Sequence, residues 1–493
     1  MKQFKYIIVV AFLGIMGLSS CSGFLDMQPS NSGNASTAIA TPADAEVAIN
    51  GIMRAMSSSN YYGRNFLMYG DAKGGDLTIY SAGRGLDALY SFNHSATSGS
   101  YSGFWETGYY CIMQINNLLE NIERLEGEGA TGFSFYKGQA LTLRGLIYFD
   151  LVRIYGLPYN YDKTSYGVPN ITATLAADAQ PTRATVEENY TQILSDLSAG
   201  MPLLAENKSP QNGYIGYYAN IALQARVKLY MEDYDGALAA AEEIINDHKY
   251  KLYEPSEWVA SWSKQYGSES IFELGIDTES DLGTSSLGFY LMRYGQKSGA
   301  QGWFLASDYY LNRLGEDAAD VRWGVMDNDE YWVDNKIERK GACYKYSGST
   351  DFAGDGKETY TAVNIKIIRL SEIYLIAAEA ALHATTPDKG LAATYLNEIR
   401  KRAPQLAPAT AATISDDMIL DERSKELFCE GQRFFDMIRM NKTIEFNDDF
   451  QGVPVSKRDK TIDRTFGKIV LPISQSEINA NPALKNEQNE AYK

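Results

Sequence analysis

Cysteine and histidine are scarce in this chain of 493 residues. The four cysteines are Cys21, Cys111, Cys343 and Cys429, and the three histidines are His94, His248 and His383. No two cysteines have the C-x-x-C spacing, and no H-E-x-x-H motif occurs. Neither a zinc site nor a disulfide framework is indicated. We therefore predict a protein without a metal or another cofactor.

Positive charge is the next shortage. The chain has 45 Lys and Arg residues against 62 Asp and Glu residues, which gives a formal net charge of −17. Nucleic-acid binding needs a dense basic surface that neutralises phosphates. We therefore predict that nucleic acids are not among the partners of this protein.

Motifs for nucleophilic catalysis are also missing. No G-x-S-x-G motif occurs, and the S-x-x-K match at Ser261 and Lys264 lacks the partner motifs of its class. We predict no catalytic residues and no enzymatic activity. A surface hydrolase is the alternative from another class, because two acidic residues suffice for it and their separation is not visible in a sequence.

Long apolar runs are limited to the start of the chain. Lys2 and Lys5 precede an apolar stretch at residues 6–18, which is typical of a secretory signal peptide and short for a membrane span. No later segment has about 18 apolar residues in succession, so we predict no transmembrane helix. The sequence LSSC, which ends at Cys21, resembles the lipobox of bacterial lipoproteins. It implies cleavage before Cys21 and lipidation of that residue.

Cleavage would make Cys21 the first residue of the mature chain. Loss of the signal peptide at residues 1–20 removes Lys2 and Lys5, so the formal net charge becomes −17 − 2 = −19. Residues 21–44 are rich in Ser, Asn, Gly, Ala and Thr, and we predict a flexible tether that carries the acyl chains. An ordinary signal peptide with a chance cysteine is the alternative.

Helical patterns fill most of the remaining chain. Apolar side chains recur at i, i+3 and i+4 from Trp105 to Ile122, which places the tryptophan in the core. A second pattern ends at Gly156 with a proline two residues later, a helix stop signal. A third begins at Thr185, which forms a predicted capping box with Glu188.

Repeat-like helical pairs follow. Ala225, Tyr234 and Ala237 have the spacing of the small, aromatic and small positions of a tetratricopeptide repeat. A similar alanine-rich pair occurs at residues 367–383 and 390–403. We predict a mainly α fold, an α-α superhelix of tetratricopeptide-like repeats. Two regions, 58–104 and 255–365, lack the helical pattern and predict long loops with short strands, where binding residues are often found.

A charged segment near the C-terminus allows two interpretations. Its residues Glu422, Arg423, Glu426, Glu430, Arg433, Asp436 and Arg439 mix charge signs at helical spacing. They could form a catalytic carboxylate–arginine site or a structural ion-pair network, and we predict the network. Cys429, in the same segment, is predicted to be a buried packing residue.

Calcium binding has little support. Asp327 and Asp329 begin an acidic run that reaches Glu338 at the twelfth position, but Trp332 stands where an EF-hand requires glycine. Asp351 and Asp355, in DFAGDGKE, are a weaker candidate for an ion in a turn. We predict no metal ligands.

Ordered sequence blocks connect these features to one family. They are FLDMQP after Cys21, then FWETGYYCIMQINNLL, RGLIYFDLVRIYGLP, RATVEENYTQILSDL, ALQARVKLYMEDYDGALAAAEEIIN, IIRLSEIYLIAAEAALH, ERSKELFCEGQRFFDMIR and LPISQSEINANPAL. In this order they resemble the SusD/RagB-like outer-membrane lipoproteins of the Bacteroidetes. The chain departs from the family at Ser474, where LPIP is commoner, and in having no acid closer to Cys21 than Asp26.

The resemblance implies a helical fold with tetratricopeptide-like repeats and a loop-rich ligand face. It also implies a lipid-anchored protein of the outer membrane that faces the cell exterior. Such a protein binds an oligosaccharide and delivers it to a SusC-like TonB-dependent β-barrel transporter. Binding of a peptide in a similar uptake complex is the alternative, and closure of the transporter without a ligand is a further one.

The same resemblance divides the chain and places the ligand. Residues 45–265 and 366–493 are the helical regions, and residues 266–365 are the loop-rich ligand region. Aromatic rings stack on the apolar faces of sugars, while polar side chains bind their hydroxyls. The candidates are Tyr61, Tyr62, Arg64, Asp71, Asp76, Tyr101, Tyr290, Arg293, Trp303, Tyr309 and Trp323. Trp303, in the glycine-rich GAQGWFLAS, is the first choice among them.

Overall fold

The computed structural model describes residues 38–80, 87–97, 102–293, 300–329, 332–333, 336–337, 339–352, 361–446 and 459–493. Lys2, Lys5, Cys21, Asp26, Tyr101, Glu338 and Asp355 lie outside these ranges. About 52% of the chain is helical, so the predicted mainly α class is confirmed. The described helices are α1 (Pro42–Met56), α2 (Asn65–Ala72), α3 (Asp87–Tyr90), α4 (Ser102–Gly127), α5 (Ser134–Tyr155), α6 (Tyr159–Asp162), α7 (Val186–Leu204), α8 (Tyr217–Tyr230), α9 (Tyr234–Asp247), α10 (Pro255–Ser261), α11 (Leu287–Leu291), α12 (Asp308–Leu314), α13 (Leu370–His383), α14 (Lys389–Arg400), α15 (Asp416–Glu426), α16 (Arg433–Arg439) and α17 (Gln475–Ala480).

Short strands lie between these helices. They are β1 (Leu77–Ile79), β2 (Ser270–Leu274), β3 (Phe304–Ala306), β4 (Met326–Asp327), β5 (Trp332–Val333), β6 (Lys336–Ile337), β7 (Ala342–Cys343), β8 (Ile365–Arg369), β9 (Ile444–Glu445) and β10 (Thr461–Ile462). Each described sheet is an antiparallel pair: β1 with β3, β2 with β8, β4 with β7, β5 with β6 and β9 with β10. The β1–β3 and β2–β8 pairs join segments that are distant in sequence, whereas β5 and β6 are neighbours in the chain.

Stacked helical pairs form the body of the protein. Helices α8 and α9 are joined by a short turn and pack together, and α13 and α14 form a second pair. The two pairs meet through α9 and α13. Ala225 and Ala237 are fully buried, because small side chains let the two helices of a pair approach closely. The predicted tetratricopeptide-like arrangement is confirmed.

The predicted helix boundaries are also observed. The Thr185 hydroxyl accepts a hydrogen bond from the Glu188 N–H at 3.2 Å, and the Glu188 carboxylate accepts one from the Thr185 N–H at 2.8 Å. Helix α5 ends before Gly156. Trp105 is buried on α4 and packs edge-on against Tyr155 with ring centroids 5.0 Å apart. No described helix combines the length and the apolar character that a membrane crossing requires.

Both predicted irregular regions contain helices, and the interval 255–365 includes α10, α11 and α12. The interval 58–104 includes α2, all eight residues of which are buried. A helix that is buried on every side has no polar face, so its sequence NFLMYGDA lacks the 3.6-residue alternation that reveals amphipathic helices. The prediction of loops and short strands was wrong for this segment.

Helix α2 approaches the turn after α15 very closely. A Cβ atom at Gly70 would lie 2.1 Å from the carbonyl oxygen of Gly431. Gly431 has φ of +77°, which favours glycine. The Asp71 carboxylate holds the contact by accepting the N–H groups of Cys429 at 3.2 Å and Gly431 at 2.5 Å. Only glycine fits at position 70.

We therefore expect Gly70→Ala to lower the free energy of unfolding by about 1–3 kcal/mol, the usual cost of overpacking. Gly51→Ala is the matched control, because Gly51 is exposed within α1 and nothing lies within 4 Å of its added Cβ. The control should gain up to about 1 kcal/mol from helix propensity. Urea unfolding followed by circular dichroism measures both. Equal stability of the two variants would contradict the close contact.

Candidate functional site

Two arginines and three aromatic residues meet beside the β1–β3 pair. The Tyr80 N–H donates to the carbonyl of Trp303 at 2.7 Å, directly after the strands end. The Trp303 N–H donates to the carbonyl of Tyr290 at 2.9 Å. The first of these bonds joins residues that lie more than two hundred positions apart in the sequence. With Arg64 and Arg293, the three aromatic residues form what we call the aromatic–arginine cluster.

The side chains of the aromatic–arginine cluster contact one another. The rings of Tyr290 and Trp303 pack edge to face with centroids 4.9 Å apart. The Arg64 guanidinium lies 4.5 Å from the Tyr290 ring centroid, and its Nη1 donates to the Tyr290 hydroxyl at 3.0 Å. The Arg293 guanidinium lies 4.2 Å from the Tyr80 ring centroid. The cluster thus alternates flat apolar rings with fixed hydrogen-bond donors.

Burial differs within the cluster. Tyr290 and Arg293 are buried, whereas Arg64, Tyr80 and Trp303 are half-buried. Burial lowers the pKa of the Arg64 guanidinium, although Tyr290 opposes that change. The buried Tyr290 and Arg293 support the other three side chains from the interior. The half-buried residues present two partly accessible rings and one guanidinium cation. Such a surface can stack on a sugar ring and donate to its hydroxyls.

A glycine turn places Trp303. Gly302 has φ of +53°, and a Cβ there would lie 2.4 Å from the Arg293 Cδ atom. The Arg293 Nη1 donates to the carbonyl of Gly302 at 3.2 Å, and the Arg293 N–H donates to the Tyr344 hydroxyl at 3.4 Å. The glycine-rich context that made Trp303 the first choice is therefore a packing requirement of the neighbouring arginine.

Tyr61 and Tyr62 lie elsewhere. They are 1% and 3% exposed, and their hydroxyls donate to the Asp150 carboxylate at 2.5 and 2.7 Å. Burial raises the pKa of both phenols, and the Asp150 charge raises it further. The structure gives them a core position, and they are not part of the aromatic–arginine cluster.

Asp71 and Asp76 are also interior. Asp71 accepts the two N–H groups in the turn described above, and burial raises the pKa of its carboxyl. Asp76 is fully buried and accepts from Arg313 at 2.9 Å and from Ser424 at 2.6 Å. Arg433 lies 3.3 Å from the same carboxylate. Both aspartates tie the N-terminal region to the last helices and are not brought into the cluster.

Tyr309 and Trp323 are half-buried, in α12 and in the 3-10 turn Val321–Val325. The Trp323 Nε1–H donates to the carbonyl of Asp317 at 3.3 Å. Their role in ligand binding stays a prediction, as does that of Tyr101. Tyr80 was not among the predicted residues. Its signal was its position at the end of the short apolar run LTIY, directly before a glycine-rich segment.

The charged segment near the C-terminus forms the predicted ion-pair network. Arg423 Nε lies 2.8 Å from the Asp436 carboxylate, and Arg439 Nη2 lies 2.9 Å from it. Glu430 pairs with Lys345 at 2.9 Å and Arg369 at 2.8 Å. All of these side chains are buried. Cys429 is buried as well, which confirms its packing role.

His94 contacts a lysine in the interior of the protein. Its Nε2 is 2.6 Å from Lys73 Nζ, and it is 3% exposed. The Lys73 ammonium also lies 4.4 Å from the Tyr69 ring centroid and 4.6 Å from that of Phe92. Burial and the Lys73 charge lower the pKa of His94 to about 2. The imidazole is therefore neutral in the folded protein, where it accepts from lysine.

This histidine predicts acid sensitivity. In the unfolded chain a histidine binds a proton below about pH 6.5, while native His94 does not, so the free energy of unfolding falls as the pH drops below that value. His94→Gln removes the titrating group and keeps an acceptor for Lys73. Between pH 7 and 5 we expect its stability to improve relative to the wild type by about 2 kcal/mol.

Chemical denaturation at several pH values measures this difference. His248→Asn is the matched control, because His248 is exposed and asparagine tolerates its left-handed φ of +53°. Hydrogen bonding to Asp416 raises the pKa of His383. A histidine with a raised native pKa adds to the free energy of unfolding as the pH falls, which is opposite to the effect of His94. The comparison is therefore made against the wild type at each pH. A constant difference between His94→Gln and the wild type would contradict the prediction.

Comparison of the sequence with models of known protein families gives two matches. A sequence model described as "SusD family" matches residues 205–492. The chain belongs to the SusD family. A second model, described as "Starch-binding associating with outer membrane", matches residues 23–229 of this SusD-family chain. The predicted family is thus confirmed, and its described role is carbohydrate binding at the outer membrane.

Individual SusD-family proteins are similar to this chain in sequence and in fold. A SusD superfamily protein from Bacteroides thetaiotaomicron is 33% identical, with 91% of this chain and 100% of that chain covered and a TM-score of 0.78. One from Bacteroides vulgatus is 32% identical, with 92% and 100% covered and a TM-score of 0.82. The starch-binding protein SusD of Bacteroides thetaiotaomicron is 30% identical over 149 residues, which are 29% of this chain and 25% of that protein.

Proposed function

We propose that this SusD-family protein is a lipid-anchored receptor on the cell surface that binds an oligosaccharide through the aromatic–arginine cluster. It delivers the oligosaccharide to a SusC-like TonB-dependent transporter. The observation that carries the proposal is the contact of Tyr290, Trp303 and Arg64, which combines stacked rings with guanidinium donors. A relative described as starch-binding supports a carbohydrate ligand.

The chemistry of the cluster fits a sugar. Pyranose rings present C–H faces that pack on aromatic rings, and their hydroxyls accept from the planar guanidinium donors. The half-buried rings are held by the side chains they pack against. Binding a ligand to them therefore costs little side-chain entropy. Lipidation of Cys21 supplies the anchor in this proposal, and the absence of catalytic motifs fits binding without turnover.

Calorimetry against a panel of neutral and acidic oligosaccharides tests the proposal, with tryptic peptides as the contrasting ligands. Binding of at least one oligosaccharide without product formation is expected. Binding of peptides alone would overturn the carbohydrate ligand.

Affinity isolation of the tagged protein from membranes tests for the transporter, and protease treatment of intact cells tests for surface exposure. Protection of the protein in intact cells would contradict outward display.

A further inference from the structure

A second concave surface lies on another part of the molecule. A groove of about 440 Å³ runs between the loop after α5 and the last residues of the chain, a volume within the usual range for small-ligand sites. Its walls come from the described segments 157–166, 464–467 and 488–491. None of the five residues of the aromatic–arginine cluster lines it. We call it the C-terminal groove.

The C-terminal groove exposes aromatic rings. Tyr161 is 43% exposed and Tyr166 is 41% exposed, and the half-buried Phe466 lines the same groove. Large hydrophobic side chains exposed to this degree are few in the described chain; the others are Val47, Tyr110, Leu175 and Val259. A single exposed ring needs no explanation. Two in one concave surface, beside a third ring, indicate a place where a ligand stacks.

Polar atoms accompany the rings. The Arg464 guanidinium lies 5.1 Å from the Tyr161 ring centroid. Within the described part of the chain, no hydrogen bond or ion pair occupies this guanidinium or the hydroxyls of Tyr161 and Tyr166. Thr164 and Thr465 also line the groove, and their hydroxyls donate to Asp162 at 2.8 Å and to Asp463 at 2.6 Å. The groups of the groove that no protein partner uses are therefore the guanidinium and the two phenol hydroxyls.

The walls are held rigidly by a buried arginine. Arg183 donates to the carbonyls of Gly167 at 2.7 Å and Tyr155 at 2.9 Å on one side. On the other side it donates to Asn489 Oδ1 at 2.9 Å. Its guanidinium also lies 5.3 Å from the Tyr166 ring centroid. The tyrosine is thus supported from behind, and the C-terminal residues are fixed against the loop, so little order has to be gained on binding.

We propose that the C-terminal groove is a second binding site for a neutral pyranose. The rings of Tyr161 and Tyr166 stack on the C–H faces of the sugar, and Arg464 donates to its hydroxyls. Two carboxylates line the same groove: that of Glu490 pairs with Lys493, and that of Asp162 disfavours an acidic sugar by repulsion. The site is independent of the aromatic–arginine cluster, and it would let one receptor hold a long glycan at two points.

The experiment measures binding of maltohexaose, cellohexaose, xylohexaose and mannohexaose by calorimetry at protein concentrations that detect millimolar affinity. Four proteins are compared: the wild type, Trp303→Ala, the double variant Tyr161→Ala with Tyr166→Ala, and the triple variant. Tyr110→Ala is the control, because Tyr110 is 55% exposed outside the groove. Melting curves establish that every variant is folded.

We expect Trp303→Ala to keep a weak residual site that the triple variant weakens by at least about tenfold, as truncation of aromatic anchors does. The double variant should bind one oligosaccharide fewer per protein molecule than the wild type, and Tyr110→Ala should bind as many as the wild type. A Trp303→Ala protein without residual binding, or a triple variant that keeps it unchanged, overturns the second site alone. A wild type that binds none of the four overturns it together with the carbohydrate ligand of the proposed function.

Discussion

Glu426→Ala is expected to lower the free energy of unfolding by about 3–5 kcal/mol, the usual cost of removing one partner from a buried ion pair. The Glu426 side chain is fully buried. Its carboxylate lies 3.1 Å from Arg369, 3.2 Å from Arg402 and 3.5 Å from Arg322, and accepts the Trp258 Nε1–H at 3.0 Å. Without it, three buried guanidinium groups lose a shared counter-charge.

The pKa of Glu426 shows how strongly the network favours its charged form. Burial opposes ionisation, but Arg402, Arg369 and Arg322 together hold the pKa of this carboxyl well below its usual range. A carboxyl with a lowered native pKa contributes stability above its unfolded pKa, near 4.3, and loses that contribution as the pH falls through the native value. The effect of Glu426→Ala should therefore be full at pH 7 and shrink in acid.

Urea unfolding at pH 7 measures this effect. Glu128→Ala is the control for an exposed pair, because Arg124 and Glu128 are 3.0 Å apart with side chains that are 41% and 61% exposed. That change should cost less than about 1 kcal/mol. A Glu426→Ala protein with the stability of the control would show that the network does not hold the fold.

The sequence predicted this network only in part. Helical spacing in ERSKELFCEGQRFF revealed mixed charges on neighbouring turns, but the partners that bury Glu426 lie outside that segment. Arg322, Arg369 and Arg402 stand 104, 57 and 24 residues before it. Such pairs depend on how distant elements pack, which local periodicity does not encode.

The same dependence on distant contacts explains why some predicted ligand residues are core residues. Tyrosines are abundant in both irregular regions, and their identity alone did not separate core from surface. Tyr61 and Tyr62 are buried because Asp150, on α5, receives their hydroxyls. Tyr80 and Trp303 converge because strand β3 pairs with β1, and the Trp303 N–H joins Tyr290 to them through its carbonyl. Helix ends, in contrast, were predictable at Gly156 and Thr185, since capping depends on neighbours three or four residues away.

Trp303→Ala is expected to weaken oligosaccharide binding about 30-fold, which corresponds to about 2 kcal/mol at the lower bound for a binding hot spot. The half-buried indole is supported edge-on by Tyr290, whose hydroxyl is held by Arg64 at 3.0 Å. Its accessible surface is therefore available for stacking without further ordering. Removing it takes away the largest ring of the cluster and leaves Tyr290 without its neighbour.

Three variants separate stacking from folding. Trp303→Phe keeps an aromatic ring and should lose less affinity than Trp303→Ala. Tyr374→Ala is the control, because this ring on α13 is also half-buried but packs edge-on against Tyr395 on α14, outside both irregular regions. Calorimetry with the oligosaccharide that binds the wild type gives the affinities, and melting curves report the fold. Equal losses for Trp303→Ala and Tyr374→Ala would mean that general loosening, and not the cluster, governs binding.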